Sequence, residues 1–126
     1  MNKGVKKMEN ESLMKQVEKL SKNLSACVEM FSAIGDETRQ HLVLEIIKLG
    51  KCEGVRVGTI TETTDLSRST ISHHLKILKD AGLIKVRHDG TMNFYYFAPE
   101  AGMFDHLTEA LQASIEIAKA LPEKTE

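Results

Sequence analysis

Leu13, Val17, Leu20, Leu24, Cys27, Phe31 and Ile34 follow one another at spacings of 4, 3, 4, 3, 4 and 3, with mostly Lys, Glu, Ser, Asn and Gln between them. A period of about 3.5 residues predicts one helix, over about 12–34, that packs lengthwise on a partner helix. Ser12 suits its N-cap, and residues 1–10 read as a flexible tail. Gly35-Asp36 interrupts the pattern, and Asp36 can cap a second helix with apolar positions Leu42, Val43, Ile46, Ile47 and Leu49, stopped by Gly50. After a loop, a short helix is expected over roughly Val57–Thr63, with Ile60 and Leu66 as its apolar anchors.

Asp65-Leu66-Ser67 reads as a turn, and the Ser67 hydroxyl can accept from free N–H groups at the start of a helix over Arg68–Asp80. Ile71, Leu75 and Leu78 share one face of it; Arg68, Ser69, Ser72, His73 and Lys76 lie on the opposite face. Gly82 ends it. Leu83–His88 and Thr91–Phe97 are β-rich runs around Asp89-Gly90, a strong hairpin signal. Pro99 suits the start of a last helix with a stripe at Phe104, Leu107, Leu111, Ile115, Ala118 and Leu121, and Pro122 closes it ahead of a tail over 122–126. A short helix, a turn and a capped second helix make a helix-turn-helix, and the hairpin behind it makes the winged form. The fold class expected is therefore mainly α with a small β-hairpin wing. One winged helix-turn-helix domain would span about 11–121.

Composition narrows the function. The 126 residues are 41% hydrophobic and 28% charged, a globular composition, and no apolar stretch is long enough for a membrane span. No secretory signal is visible, so the cytoplasm is the expected compartment, with no membrane partner. Two cysteines, Cys27 and Cys52, cannot build a disulfide framework. The net charge of −1 argues against a general polyanion binder, but its distribution does not. Residues 66–88 carry Arg68, Lys76, Lys79, Lys85 and Arg87 against Asp80 alone, whereas the last helix and tail are acidic. A local basic patch is what contact with phosphates requires. Short side chains such as Ser69 and Ser72 let a helix approach base edges, and Arg68 and Lys76 can reach bases or phosphates. There is no nucleophile elbow, Gly-rich phosphate loop or recognisable carboxylate pair, so an enzyme is not expected.

Two segments carry a resemblance to a known family. Phe31–Arg39, with Gly35-Asp36-Glu37-Thr38-Arg39 at its end, and Leu66–Ile84, with the core Ser69-Thr70-Ile71-Ser72-His73-His74-Leu75, resemble ArsR-type winged-helix repressors. Asp89-Gly90 followed by Tyr95-Tyr96 is similar to the family's wing. The resemblance implies a homodimeric transcriptional repressor on a palindromic double-stranded DNA operator, held together by its first and last helices over about 12–34 and 100–121. Leu13, Val17, Leu20, Leu24, Cys27, Phe31, Phe104, Leu107, Leu111 and Ile115 would line that interface, in keeping with the two apolar stripes. Carried over by position, Ser67, Arg68, Ser69, Thr70, Ser72, His73 and Lys76 would face DNA, and Arg87, His88, Thr91 and Asn93 would belong to the wing. His74 is expected to be buried or semi-buried rather than a base reader.

Many relatives release DNA when a metal binds. At the family's Cys-x-Cys site this chain has Arg56 and Gly58, which cannot hold a soft metal. At its last-helix site the positions fall near Glu100, Gly102, Ala113 and Glu116, without the histidines. His106 and Glu109 have a ligand-like spacing beside Asp105, but an exposed polar face is the better reading of them. No metal or cofactor is therefore expected, and the effector is left open. Two alternatives stand beside DNA-binding repression: a thiol or metal sensor using Cys27 and Cys52, and a winged-helix protein-interaction module without DNA binding.

Overall fold

A computed structural model describes residues 3–121, and their side chains from residue 11 onward. The expected tail over 122–126, and the first two residues of the N-terminal one, lie outside the described residues. The elements are α1 (Lys3–Ala26), α2 (Val28–Ile34), α3 (Glu37–Gly50), α4 (Val57–Thr61), α5 (Arg68–Asp80), β1 (Ile84–Asp89), β2 (Met92–Phe97) and α6 (Ala101–Ala120). They divide into two compact units. One is built from α1, Cys27 and α6; the other spans Val28–Ala101. No described helix is long and apolar enough to cross a membrane.

In the first unit α1 and α6 run antiparallel. His106 Nδ1–H donates to the buried Asn23 Oδ1 at 2.9 Å, and Cys27 Sγ lies 3.8 Å from the Met103 carbonyl. Further along, Gln16 and Lys19 line one cleft with Glu109, Gln112 and Glu116. Ala110 and Ala113 are the buried residues of α6. The opposite edge of each helix is uncovered. Val17 and Leu24 are each 41% exposed, Leu111 58% and Ile115 49%.

The N-terminal stripe does not form a single helix. It begins at Lys3, well before Ser12, and stops at Cys27, where the Cys27 N–H turns back to the Leu24 carbonyl at 3.0 Å, a tighter i→i−3 bond. No Gly or Pro marks the break, so periodicity alone could not show it. Beyond it the buried face moves by one residue: α2 buries Met30 and Ala33, and Phe31 faces outward.

The second unit encloses the core of Leu42, Ile46, Ile60, Ile71, Leu75, Leu78 and Ile84, all nearly or fully buried. Asp36 caps α3 through its Oδ1, which accepts from the Thr38 N–H at 2.7 Å and the Arg39 N–H at 3.3 Å. These bonds favour the ionised carboxylate. The Arg39 N–H is the chief cause of a pKa below the usual 3.8, aided by the Thr38 N–H, the Arg39 guanidinium and His74, with only desolvation opposing. Arg39 then reaches back. Its Nε donates to the Ala33 carbonyl at 2.6 Å, Nη2 to the Ser32 carbonyl at 3.2 Å, and Nη1 to His74 Nδ1 at 3.3 Å. One side chain thus closes the end of α2, the start of α3 and the middle of α5.

Other local expectations shift slightly. The left-handed residue after α3 is Lys51 (φ 48°), not Gly50. Gly50 is needed for space, because a Cβ there would lie 3.2 Å from the Val55 nitrogen and 3.4 Å from the Tyr95 carbonyl. α4 ends at Thr61, two residues early. Helix α5 matches its expected bounds and ends in a Schellman motif, with Leu83 N–H on the Leu78 carbonyl and Gly82 N–H on the Lys79 carbonyl. β1 and β2 pair antiparallel with Asp89 opposite Met92, so the turn is Gly90-Thr91 rather than Asp89-Gly90. Gly90, at φ 62°, supplies its first central position. Val55 adds a single bridge to Tyr95, with both N–H···O bonds at 2.8–2.9 Å, and ties the loop before α4 to the wing.

Candidate nucleic-acid interface

Helix α5 is fixed from beneath and open above. Ile71, Leu75 and Leu78 are fully buried, so the remaining face is forced outward. Ser67 starts it: its Oγ accepts from the Thr70 N–H at 3.2 Å and lies 3.2 Å from Ser69 Oγ and 2.8 Å from Thr70 Oγ1. Ser67 is therefore occupied as a cap, and Thr70 is half-buried. Arg68, Ser69, Ser72, His73 and Lys76 are all exposed along one side. His74 is half-buried, its Nδ1 lying 3.3 Å from Arg39 Nη1.

The basic side chains are not equivalent. Lys76 Nζ donates to Asp80 Oδ2 at 2.7 Å, one turn on, and that bond holds the Asp80 carboxyl below its usual range. Both partners are exposed, so the pair is weak and readily exchanged for another anion. Arg87 is tied down. Its Nη2 donates to the Glu53 carbonyl at 3.1 Å, and its guanidinium carbon lies 4.5 Å from the Phe94 ring centre. Arg87 thereby braces the wing against the loop before α4. His88 Nδ1–H donates across the hairpin to Asn93 Oδ1 at 2.6 Å, the register pair of the two strands.

Arg68, Ser72, Thr91 and Asn93, from the start of α5 and from the wing, converge on one cleft together with Tyr95 and Arg56. In the sequence Arg56 reads only as the occupant of a metal-ligand position, because the Val55–Tyr95 bridge that carries it to the wing is a long-range pairing with no local signature. Among the described residues no three His, Cys, Asp or Glu side chains gather where they could hold a metal. His106 is engaged with Asn23, Cys27 is buried beside α6, and Cys52 is exposed.

A capped, outward-facing second helix after a short first one, followed by a paired hairpin, defines a winged helix-turn-helix protein. The profile described as "Bacterial regulatory protein, arsR family" matches residues 43–86. The chain is 45% identical over 73 residues to an uncharacterised HTH-type transcriptional regulator of Methanocaldococcus jannaschii, covering 57% of this chain and 78% of the relative. It is 36% identical over 67 residues to the arsenical resistance operon repressor of Bacillus subtilis, covering 53% of this chain and 61% of that protein. A crystal structure of an ArsR family transcriptional regulator shares the fold, with a TM-score of 0.62 at 17% identity over 78% of this chain and 95% of that one. The chain belongs to the ArsR family of transcriptional regulators.

Proposed function

We propose that the protein is a homodimeric repressor that binds a palindromic operator in double-stranded DNA, with α5 in the major groove. The observation that carries this reading is the two-sidedness of α5: one face fully buried, the other an exposed row of Arg68, Ser69, Ser72, His73 and Lys76. Small hydroxyl side chains flanked by cations suit close approach to base edges between phosphates. Repression is the role named for the Bacillus subtilis relative. Thr91, Asn93 and His88 act from the wing, whereas Arg87 acts by holding the wing in place.

Dimerisation is supported by the uncovered edges of α1 and α6. Val17, Leu24, Phe104, Leu111 and Ile115 are each more than a third exposed, with Leu13, Leu20 and Leu107 half-buried beside them. A run of apolar surface of this kind is more than a solitary small protein ordinarily leaves in water. A second copy covers it and sets two α5 helices one turn of the duplex apart, about 34 Å. Cys27 takes no part, being 0% exposed within one protomer.

The test is duplex binding at increasing KCl, on DNA that the parent protein enriches from a random pool. Affinity should fall steeply with salt, and Arg68→Ala with Lys76→Ala should flatten the slope. A double variant that binds like the parent would show that α5 is not the reading face.

A further inference from the structure

Arg56 stands directly before α4 in extended conformation (φ −86°, ψ 151°), and its side chain makes no capping bond. Its backbone is held on both sides. Val55 is bridged to Tyr95 of β2, and the Arg56 carbonyl accepts from the Thr59 and Ile60 N–H groups at 3.1 and 3.3 Å. Arg68 is the first residue of α5, fixed by the Ser67 cap. Its Nη1 lies beside α4, where a Cβ at Gly58 would sit 3.7 Å from it. The two arginines line the same pair of clefts. One, over α4, includes Glu62; the other, toward the wing, is lined by Ser72, Thr91, Asn93 and Tyr95 and contains no acid. Among the described residues neither arginine has a carboxylate within 4.0 Å.

We infer that this acid-free cleft is a phosphate cradle in which Arg56 and Arg68 together clamp one phosphodiester of the duplex. Two arginines line this cleft with no carboxylate among its lining residues, and the planar forks of their guanidinium groups match phosphate oxygens. Ser72 and Thr91 hydroxyls and the Asn93 amide supply neutral donors around it. His88 occupies the Asn93 Oδ1, which leaves the Asn93 NH2 as the group that can donate into the cleft. The cleft opens between the start of α5 and the wing, where a backbone strand would run past both. This assignment rests on the DNA-binding reading and sharpens it: Arg68 positions the protein, and base reading falls to Ser69, His73 and Lys76.

The experiment measures log Kd against log[KCl] for parent, Arg56→Ala, Arg68→Ala, the double variant and Arg56→Lys. Each is titrated with a random-sequence duplex and with the pool-enriched one. Because both residues grip one phosphate, each single variant should lower the slope by about 0.9 and the double by no more than that, an affinity loss of about eight-fold near 0.1 M KCl. The loss should be equal on both duplexes, and Arg56→Lys should recover most of the slope. An unchanged slope for Arg56→Ala overturns the cradle, and so does a collapse of the preference for the enriched duplex in Arg68→Ala. Inorganic phosphate, titrated without DNA and followed by amide shifts, separates the other source: strong binding there with an unchanged DNA slope assigns the cleft to a free anion and overturns the duplex assignment. A parent that binds no duplex refutes the proposed function itself, whereas a parent that binds while Arg56→Ala keeps its slope refutes the cradle alone. Both arginines are exposed, so unfolding curves like the parent's should accompany every variant.

Discussion

Replacing Arg39 by alanine should lower stability far more than its place near the surface suggests. The side chain is 14% exposed and donates to three acceptors besides its ion pair with Asp36. The acceptors differ in what replaces Arg39 when it goes. Ser32 is exposed, so water can take over its carbonyl. Ala33 is 1% exposed, and its carbonyl, bonded at 2.6 Å, would lose a charge-assisted partner in a buried place, which costs about 1.5–3 kcal/mol. The longer bond to His74 and the half-exposed ion pair add less, so the total comes to about 2–4 kcal/mol. For a chain of 126 residues each kcal/mol moves Tm by about 3–5 °C, giving a drop of about 6–20 °C. Helical circular dichroism during heating, at one fixed protein concentration, measures it. Arg39→Lys should recover only part, since one ammonium cannot reach all three acceptors. In a double-mutant cycle, Arg39→Ala and His74→Ala should be less than additive. A Tm loss below about 3 °C for Arg39→Ala, or full recovery by lysine, would refute the clasp.

Three further outcomes are expected. Asp36, Glu45 and Asp80 all have carboxyl pKa values lowered in the fold, through the Arg39 N–H, Lys48 and Lys76 respectively. Their contribution is therefore fully present above the ordinary values of 3.8 and 4.5 and is lost as pH falls through the lower folded ones; urea midpoints should decline below about pH 4.5, and a flat profile to pH 3 would count against these bonds. Leu111→Glu with Ile115→Glu should shift sedimentation from dimer to monomer and weaken duplex binding, and a dimer that survives both changes would place the interface elsewhere. Cys52 should react with a thiol reagent within seconds to minutes and Cys27 only on unfolding, and Cys27→Ser and Cys52→Ser should both still bind DNA; loss of oxidant-sensitive DNA release in either variant would point to a thiol sensor instead.

Much of this protein is written in short-range signals. Ser67 before Arg68, the apolar trio Ile71, Leu75 and Leu78, and Gly82 beyond Asp80 mark the bounds of α5, because caps and helical periodicity act within a few residues. The hairpin and the last helix are legible for the same reason, and so is the polar row on α5. Other features arise only where distant segments meet. The stripe at 13–34 predicts one helix, yet burial of Cys27 against α6 accompanies a break that no breaker residue announces. Arg39 reads as part of a family motif, but its work is visible only once the ends of α2 and α3 and His74 lie around it. Arg87 counts as a free cation in the chain and is a brace in the fold, since Glu53 and Phe94 reach it from other elements. Arg56 becomes part of a cleft only because Val55 pairs with Tyr95, forty residues away. Hydrogen-bond geometry over one or two turns is set by neighbouring residues, whereas the company a side chain keeps is set by packing of the whole unit.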